Sequence, residues 1–249
     1  MITRFFILFC FLANLSLAET DSELVPIIRR NITQAKENDF VVVAFEQTYT
    51  LLHILKVAND EFVMEEITVP SQKLSKNFFG WRDWFINGAL GHTGWIAYTL
   101  DASSGKIKNA YSYTRGSPLE MQSTDLFLST LFNLNFKKIP LSERKKIGAK
   151  VAIAPYMDPN SVWNPPLIVD GKRINGVFFE AWKAKWPNDN SYLSDKNIEI
   201  YLPDERTSFS SYFPYWLQIS GLIGKAKIRI IDSGSNLPPV KELPLTLVD

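Results

Sequence analysis

Two runs of strict alternation constrain the fold of this chain more than any other feature. Ile198, Ile200 and Leu202 alternate with Asn197, Glu199 and Tyr201, and Ala226, Ile228 and Ile230 alternate with Lys225, Lys227 and Arg229. A period of two places alternate side chains on opposite faces, so each run reads as a strand with one apolar and one wet face. Further β-rich runs cover Val41 to Val57, Phe62 to Val69, Trp95 to Leu100, Lys106 to Thr114, Lys150 to Ala154 and Ile174 to Trp186. Turn residues stand between them: Ala58-Asn59-Asp60-Glu61, Asp101-Ala102-Ser103-Ser104-Gly105 and Asp170-Gly171.

Short turns imply antiparallel neighbours. At four strand entries a turn-permissive residue precedes a lysine and then a β-branched residue, as in Gly105-Lys106-Ile107. The spacings are unequal, which makes this repeated turn chemistry and not a repeat architecture. The expected fold class is α+β, predominantly antiparallel β: about nine strands in a curved sheet that curls into a half-barrel, a barrel or a sandwich, with a few helices.

Helices are expected at three places only. Leu24, Ile27, Ile28 and Ile32 recur at helical spacing behind a cap at Asp21 or Ser22, with Pro26 in the first turn. Phe78, Trp81, Trp84 and Phe85 fall on one face of a short helix. Leu126, Phe127, Leu131 and Leu134 form the apolar side of a third, between Thr124 and Asn135.

Residues Met1 to Ala18 read as a secretory signal peptide. Arg4 precedes an apolar run from Phe5 to Leu15, and Ser16-Leu17-Ala18 supplies the small residues of a cleavage site. The run is too short for a membrane anchor, and Phe9 before Cys10 does not fit lipoprotein processing. Three segments follow: 1–18 cleaved, 19–232 one β-rich domain, and 233–249 an extended tail in which Pro238, Pro239 and Pro244 oppose a helix. Cleavage removes the chain's one cysteine, so the exported protein would fold without disulfides in the periplasm or outside the cell. The sequon Asn31-Ile32-Thr33 matters only in a host that glycosylates.

With Arg4 removed, basic and acidic side chains balance at 26 each. Such balance gives no global attraction to nucleic acid or an anionic membrane, and no later apolar run reaches a membrane span. The local basic run Lys137, Lys138, Arg144, Lys145, Lys146 and Lys150 could meet anionic headgroups. A solvated connection explains the same residues.

No complete catalytic motif is present. His53 lies between apolar neighbours, as a core histidine does, whereas His92 sits in the loop Gly91-His92-Thr93-Gly94 and is the weak catalytic candidate. Gly-x-Ser-x-Gly is absent, and the Ser-x-x-Lys matches at Ser103 and Ser142 carry no helical context. Zinc ligands are lacking, and Asn188-Asp189-Asn190 fails the EF-hand spacing. Gly221 to Lys225 fails as a phosphate cradle. No cofactor and no metal are expected. Glu180, Asp189, Glu199 and Asp232 are nominal carboxylates for glycosidic chemistry.

Aromatic residues give the strongest positive signal after export. Trp81, Trp84, Trp95, Trp182, Trp186 and Trp216 are the candidate ligand-binding residues, because large flat side chains with a polar edge suit an apolar or sugar ligand. If Phe178 to Trp186 is one strand, Phe178, Trp182 and Trp186 share a face. Core packing is the plainer account of the same residues. A curved antiparallel sheet with a helix on its concave side resembles, in outline, the half-barrels that carry lipid-modified proteins or apolar cargo through a periplasm.

The functional expectation is a non-enzymatic exported envelope protein that binds a lipid, another apolar or amphipathic ligand, or a partner protein. The alternative is a hydrolase acting on an envelope polymer through His92 or a carboxylate pair.

Overall fold

The computed structural model describes residues 26–58, 60–120, 127–147, 162–204, 212–220 and 225–247. The signal segment with Cys10, the cap at Asp21 or Ser22, the strand expected at Lys150 to Ala154 and the loop at Gly221 lie outside them. In chain order come α1 (Ile27–Ile32), β1 (Phe40–Phe45), β2 (Thr48–Ala58), β3 (Glu61–Pro70), α2 (Trp81–Ile86), β4 (Gly94–Asp101), β5 (Lys106–Ser112) and β6 (Ser117–Leu119). They are followed by α3 (Phe127–Asn133), β7 (Lys137–Lys138), β8 (Leu167–Val169), β9 (Lys172–Ile174), β10 (Phe179–Lys185), β11 (Asn197–Pro203), β12 (Trp216–Ser220) and β13 (Lys225–Gly234).

The protein is mostly antiparallel β with few helices. Eleven strands form one large curved sheet in the order β6-β5-β4-β3-β2-β1-β13-β12-β11-β10-β7, while β8 and β9 form a separate hairpin. The expectation of about nine strands was an undercount, and closure into a barrel does not occur, since β6 and β7 end the sheet on opposite sides. Nor do two comparable sheets pack as a sandwich.

Two of the extra strands come from runs that the structure divides, and β6, β7 and β12 lie where no run was expected. The run Val41 to Val57 is a hairpin and not one strand, because the chain reverses at Glu46 and Gln47 with Glu46 at φ 51°. Neither residue is a usual turn former, so nothing in composition marked the reversal. The run Ile174 to Trp186 is likewise divided: β9 ends at Ile174, Gly176 takes φ 75°, and β10 begins at Phe179. By contrast Asp170 and Gly171 both take positive φ between β8 and β9, the two-residue turn their sequence suggested.

The two edges are short and carry their own protection. β6 is three residues with Pro118 at its centre, and β7 is two lysines. Proline removes a donor and lysine carries charge, and both discourage another chain from adding a strand. Bulges at Val42/Val43, Ile54/Lys56 and Tyr98/Leu100 interrupt the ladders near the middle and front of the sheet. Bulges sharpen local twist, which bends a sheet this wide.

Register assigns the core. On one face lie Val41 and Val43 of β1, Leu52 and Ile54 of β2, Met64 of β3, Tyr98 of β4 and Ile230 of β13, covered by α1 and α3. On the other lie Phe40, Val42, Leu51, Ile67, Val69 and Trp95, covered by α2 and by Leu237. The segment after β13 lies close against this second face: Leu237 is fully buried, the Tyr113 hydroxyl donates to the Glu242 carbonyl (3.0 Å), and one 3-10 turn at Leu245–Leu247 seats Leu247 beside Val63 and Ala97. Among the described residues no helix is long and apolar enough to cross a membrane.

Candidate functional site

Between α3 and the first face of the sheet opens a cleft of about 640 Å³. Its wall on the helix side is Phe127 and Leu128; its floor is built from Val43 and Phe45 of β1, Leu52 of β2, Ile96 of β4, Ile107 of β5, Leu119 of β6 and Ile228 of β13, with Phe213 at one end. The alternation of these strands makes the floor. Every second residue faces the same way, so six strands contribute one or two apolar groups each to a continuous surface. A volume in the range of small-molecule sites, roughly 300–1,000 Å³, with a mostly apolar lining, is what a ligand pocket requires.

Three polar side chains enter this floor. Thr50, Glu66 and Tyr98 lie on β2, β3 and β4. Glu66 stands directly across from Leu52 on one side and Ile96 on the other, so a carboxyl group is set between two apolar floor residues. The Tyr98 hydroxyl donates to Glu66 Oε1 at 2.8 Å. Thr50 Oγ1 lies 3.3 Å from Thr68 Oγ1 on the next strand. Burial raises the Glu66 carboxyl above the usual carboxylate range, and the Tyr98 hydrogen bond offsets this only in part. Tyr98 is itself pushed well above an ordinary phenol, first by burial and then by the Glu66 charge. Among the described residues Glu66 is the one carboxyl of the cleft lining.

The second face holds a polar chain of a different kind. His53 Nδ1 and Glu65 Oε1 share a hydrogen bond of 2.8 Å, and Trp95 Nε1 donates to Glu65 Oε2 at 2.6 Å. His53 and Glu65 are 0 % and 1 % exposed, which leaves no route for a substrate. Phe85 of α2 meets the His53 ring edge to face at 5.2 Å. Hydrogen bonds offset much of the cost of burying these polar groups, and removing one partner would strand the others. His53 Nε2 is buried with no hydrogen-bond partner among the described residues. The site therefore knits α2 to β2, β3 and β4.

The six candidate tryptophans divide between places. Trp81 and Trp84 of α2 pack edge to face at 5.6 Å and, with Trp95, form the core of the second face. Lys241 of the C-terminal segment caps the Trp95 ring at 4.1 Å. Register puts Trp182 on the same face as Ile200 and Leu217, and Trp216 on the opposite face with Tyr201. Trp186 stacks on Phe127 at 5.6 Å and 15°, so it backs a wall of the cleft without lining it. None of the six is among the lining residues of the cleft. Phe178 lies outside β10 and is exposed.

His92 is half-buried, with Nδ1 3.0 Å from the Ala89 carbonyl and its ring edge to face with Trp95. The nominal carboxylates do not converge. Glu180 pairs with Lys138; Glu199 accepts from the Tyr201 hydroxyl (2.7 Å) on the face opposite Glu180; Asp189 accepts from Trp186 Nε1 (2.9 Å). Asp232 is buried and accepts the backbone N–H groups of Gly171 and Ser233. Of the basic run, Arg144 is buried, donating to the carbonyls of Phe179 (2.6 Å) and Trp163 (3.2 Å) and to Asn164 Oδ1 (2.8 Å). Lys145 lies over the Trp163 ring, and Lys150 lies outside the described residues. Among the described residues no group of three or more His, Cys, Asp or Glu is placed to hold a metal ion.

Sequence reasoning missed Glu66 and Tyr98. A signal existed: Glu66 interrupts the apolar alternation Phe62, Met64, Glu66 on a strand face that is otherwise inward.

An open, eleven-stranded antiparallel sheet with an apolar cleft beneath a short helix thus defines the class of protein. The particular family follows from sequence: the CT021 protein family matches residues 50–175, half of the chain, and the chain belongs to that family. The matched stretch contains Leu52, Glu66, Ile96, Tyr98 and the helix side of the cleft. The solved structure of the hypothetical protein CT021 from Chlamydia trachomatis is similar at a TM-score of 0.59 and 18% identity, over 87% of this chain and 98% of that one. At that identity the likeness speaks to the fold alone. No curated protein matches the chain.

Proposed function

We propose that this protein is an exported, non-enzymatic carrier or binding protein that holds an apolar or amphipathic ligand in the cleft beneath α3. The observation that carries this reading is the lining: thirteen described residues, ten of them apolar, around about 640 Å³ on the inward face of the sheet. An apolar surface of that size left open to water is costly, and a ligand that covers it recovers roughly 25 cal/mol for each Å² removed from water. Export rests on the pattern Met1 to Ala18.

Native mass spectrometry of protein purified from its own envelope is expected to show a co-purifying apolar or amphipathic molecule. Displacement of the fluorescent probe N-phenyl-1-naphthylamine gives the quantitative test. Leu128→Asp puts a charge in the helix wall at a partly exposed position, so probe affinity should fall at least tenfold with the far-UV circular dichroism unchanged. Unchanged affinity in that variant would remove the cleft from the reading.

A further inference from the structure

The floor of the cleft is mostly apolar, and its polar groups Thr50, Glu66 and Tyr98 lie on the adjacent strands β2, β3 and β4. Glu66 sits between Leu52 and Ile96 on neighbouring strands, and among the described residues its one side-chain partner is the Tyr98 hydroxyl, which occupies Oε1. A carboxyl group has about four lone-pair sites in its ionised form, so a single donor leaves it able to accept more. The residue is half-buried, and it is in the cleft lining that it reaches open space. The Tyr98 hydroxyl is already committed as a donor to Glu66. Thr50 is turned toward Thr68 at 3.3 Å. Among the described residues, then, the floor presents the Glu66 carboxyl as its acceptor, and no lysine, arginine or histidine of those residues lines the cleft.

From this geometry we infer that the ligand is a single-chain amphiphile whose polar end donates hydrogen bonds, an alcohol or a protonated amine, and that Glu66 is the residue that selects it. The inference rests on the ligand-binding reading above and names the chemistry of its ligand. The alkyl chain lies along Val43, Leu52, Ile96 and Leu128, and the head reaches Glu66. A fatty acid carboxylate is disfavoured by the same floor. Two carboxylates cannot share a low-dielectric site while both are ionised, so the second must bring a proton or stay out. Burial of a donor head without the Glu66 acceptor would leave it unpaired, and a site built around one hydrogen-bond partner discriminates strongly against heads that cannot use it.

The test compares three probes that share a twelve-carbon chain, dodecan-1-ol, dodecylamine and dodecanoate, each below its critical micelle concentration at pH 8, by displacement of N-phenyl-1-naphthylamine from the full-length mature protein. The alcohol and the amine should bind at least tenfold more tightly than dodecanoate. Glu66→Gln keeps shape and removes the charge, and should bring dodecanoate to within about threefold of the alcohol while weakening the amine. Tyr98→Phe keeps Glu66 and should preserve the order of the three. Dodecanoate binding as tightly as the alcohol in the native protein, or a preference for the alcohol over dodecanoate that stays at tenfold or more in Glu66→Gln, would overturn the inference while leaving a ligand-binding cleft intact. If N-phenyl-1-naphthylamine itself does not bind, the broader reading fails, and this inference falls with it.

Discussion

At the scale of single residues, two adjacent glutamates on β3 have opposite fates because a strand alternates. Glu65 faces α2 and is locked by His53 and Trp95; Glu66 faces the cleft and has only Tyr98. Their consequences for stability differ accordingly. Burial raises the folded-state pKa of Glu66, so the folded protein holds that proton more tightly than the unfolded chain does. The stabilisation is complete below the unfolded value of about 4.3 and is lost as pH rises through the higher folded value. Glu66→Gln cannot lose a proton, so its stability in urea should gain on that of the native protein as pH is raised from 4 to 8. A gap that stays constant across that range would show that Glu66 titrates alike in both states. Gly234 is constrained by space: a Cβ there would stand 2.6 Å from Phe40 Cε1 and 2.8 Å from Asp170 Oδ1. The close approach of the chain end of β13 to the Phe40 ring needs the missing side chain.

At the scale of elements, the periodic segments were legible and the reversals were not. The alternation of β11, the hairpin of β4 and β5 about Asp101 to Gly105, and the aromatic face of α2 follow from local chemistry. The hairpin at Glu46 and Gln47 does not, because the sheet on both sides imposes a conformation those residues do not prefer alone. The C-terminal segment shows the same limit. Its prolines exclude a long helix, but nothing local says that Leu237 enters the core between α2 and the sheet. Leu237→Ala should cost about 2–5 kcal/mol, the range for emptying a fully buried leucine site, read as a fall in the urea midpoint. A cost near zero would mean that the segment merely lies on the surface.

At the scale of the whole molecule, the decisive contact joins the two ends of the sheet's sequence. β1 pairs with β13 along Phe40 to Phe45, so the front meander β1 to β6 and the back strands β7 and β10 to β13 meet at a central seam. A seam with fully buried Phe40, Val41 and Val42 couples both halves. Unfolding followed by tryptophan fluorescence and by far-UV circular dichroism should therefore give coincident transitions; two separated midpoints would indicate that the halves melt independently. By itself the sequence determined the class: alternating strands, short turns and three short helices, because periodicity and turn chemistry act over a few residues. Only the tertiary structure decided that the sheet stays open and that the tryptophans part between two faces. It also decided that Glu66 looks into a cleft while Glu65 is sealed beneath α2. Those outcomes depend on register and on pairing between residues nearly two hundred positions apart, and no local pattern encodes them.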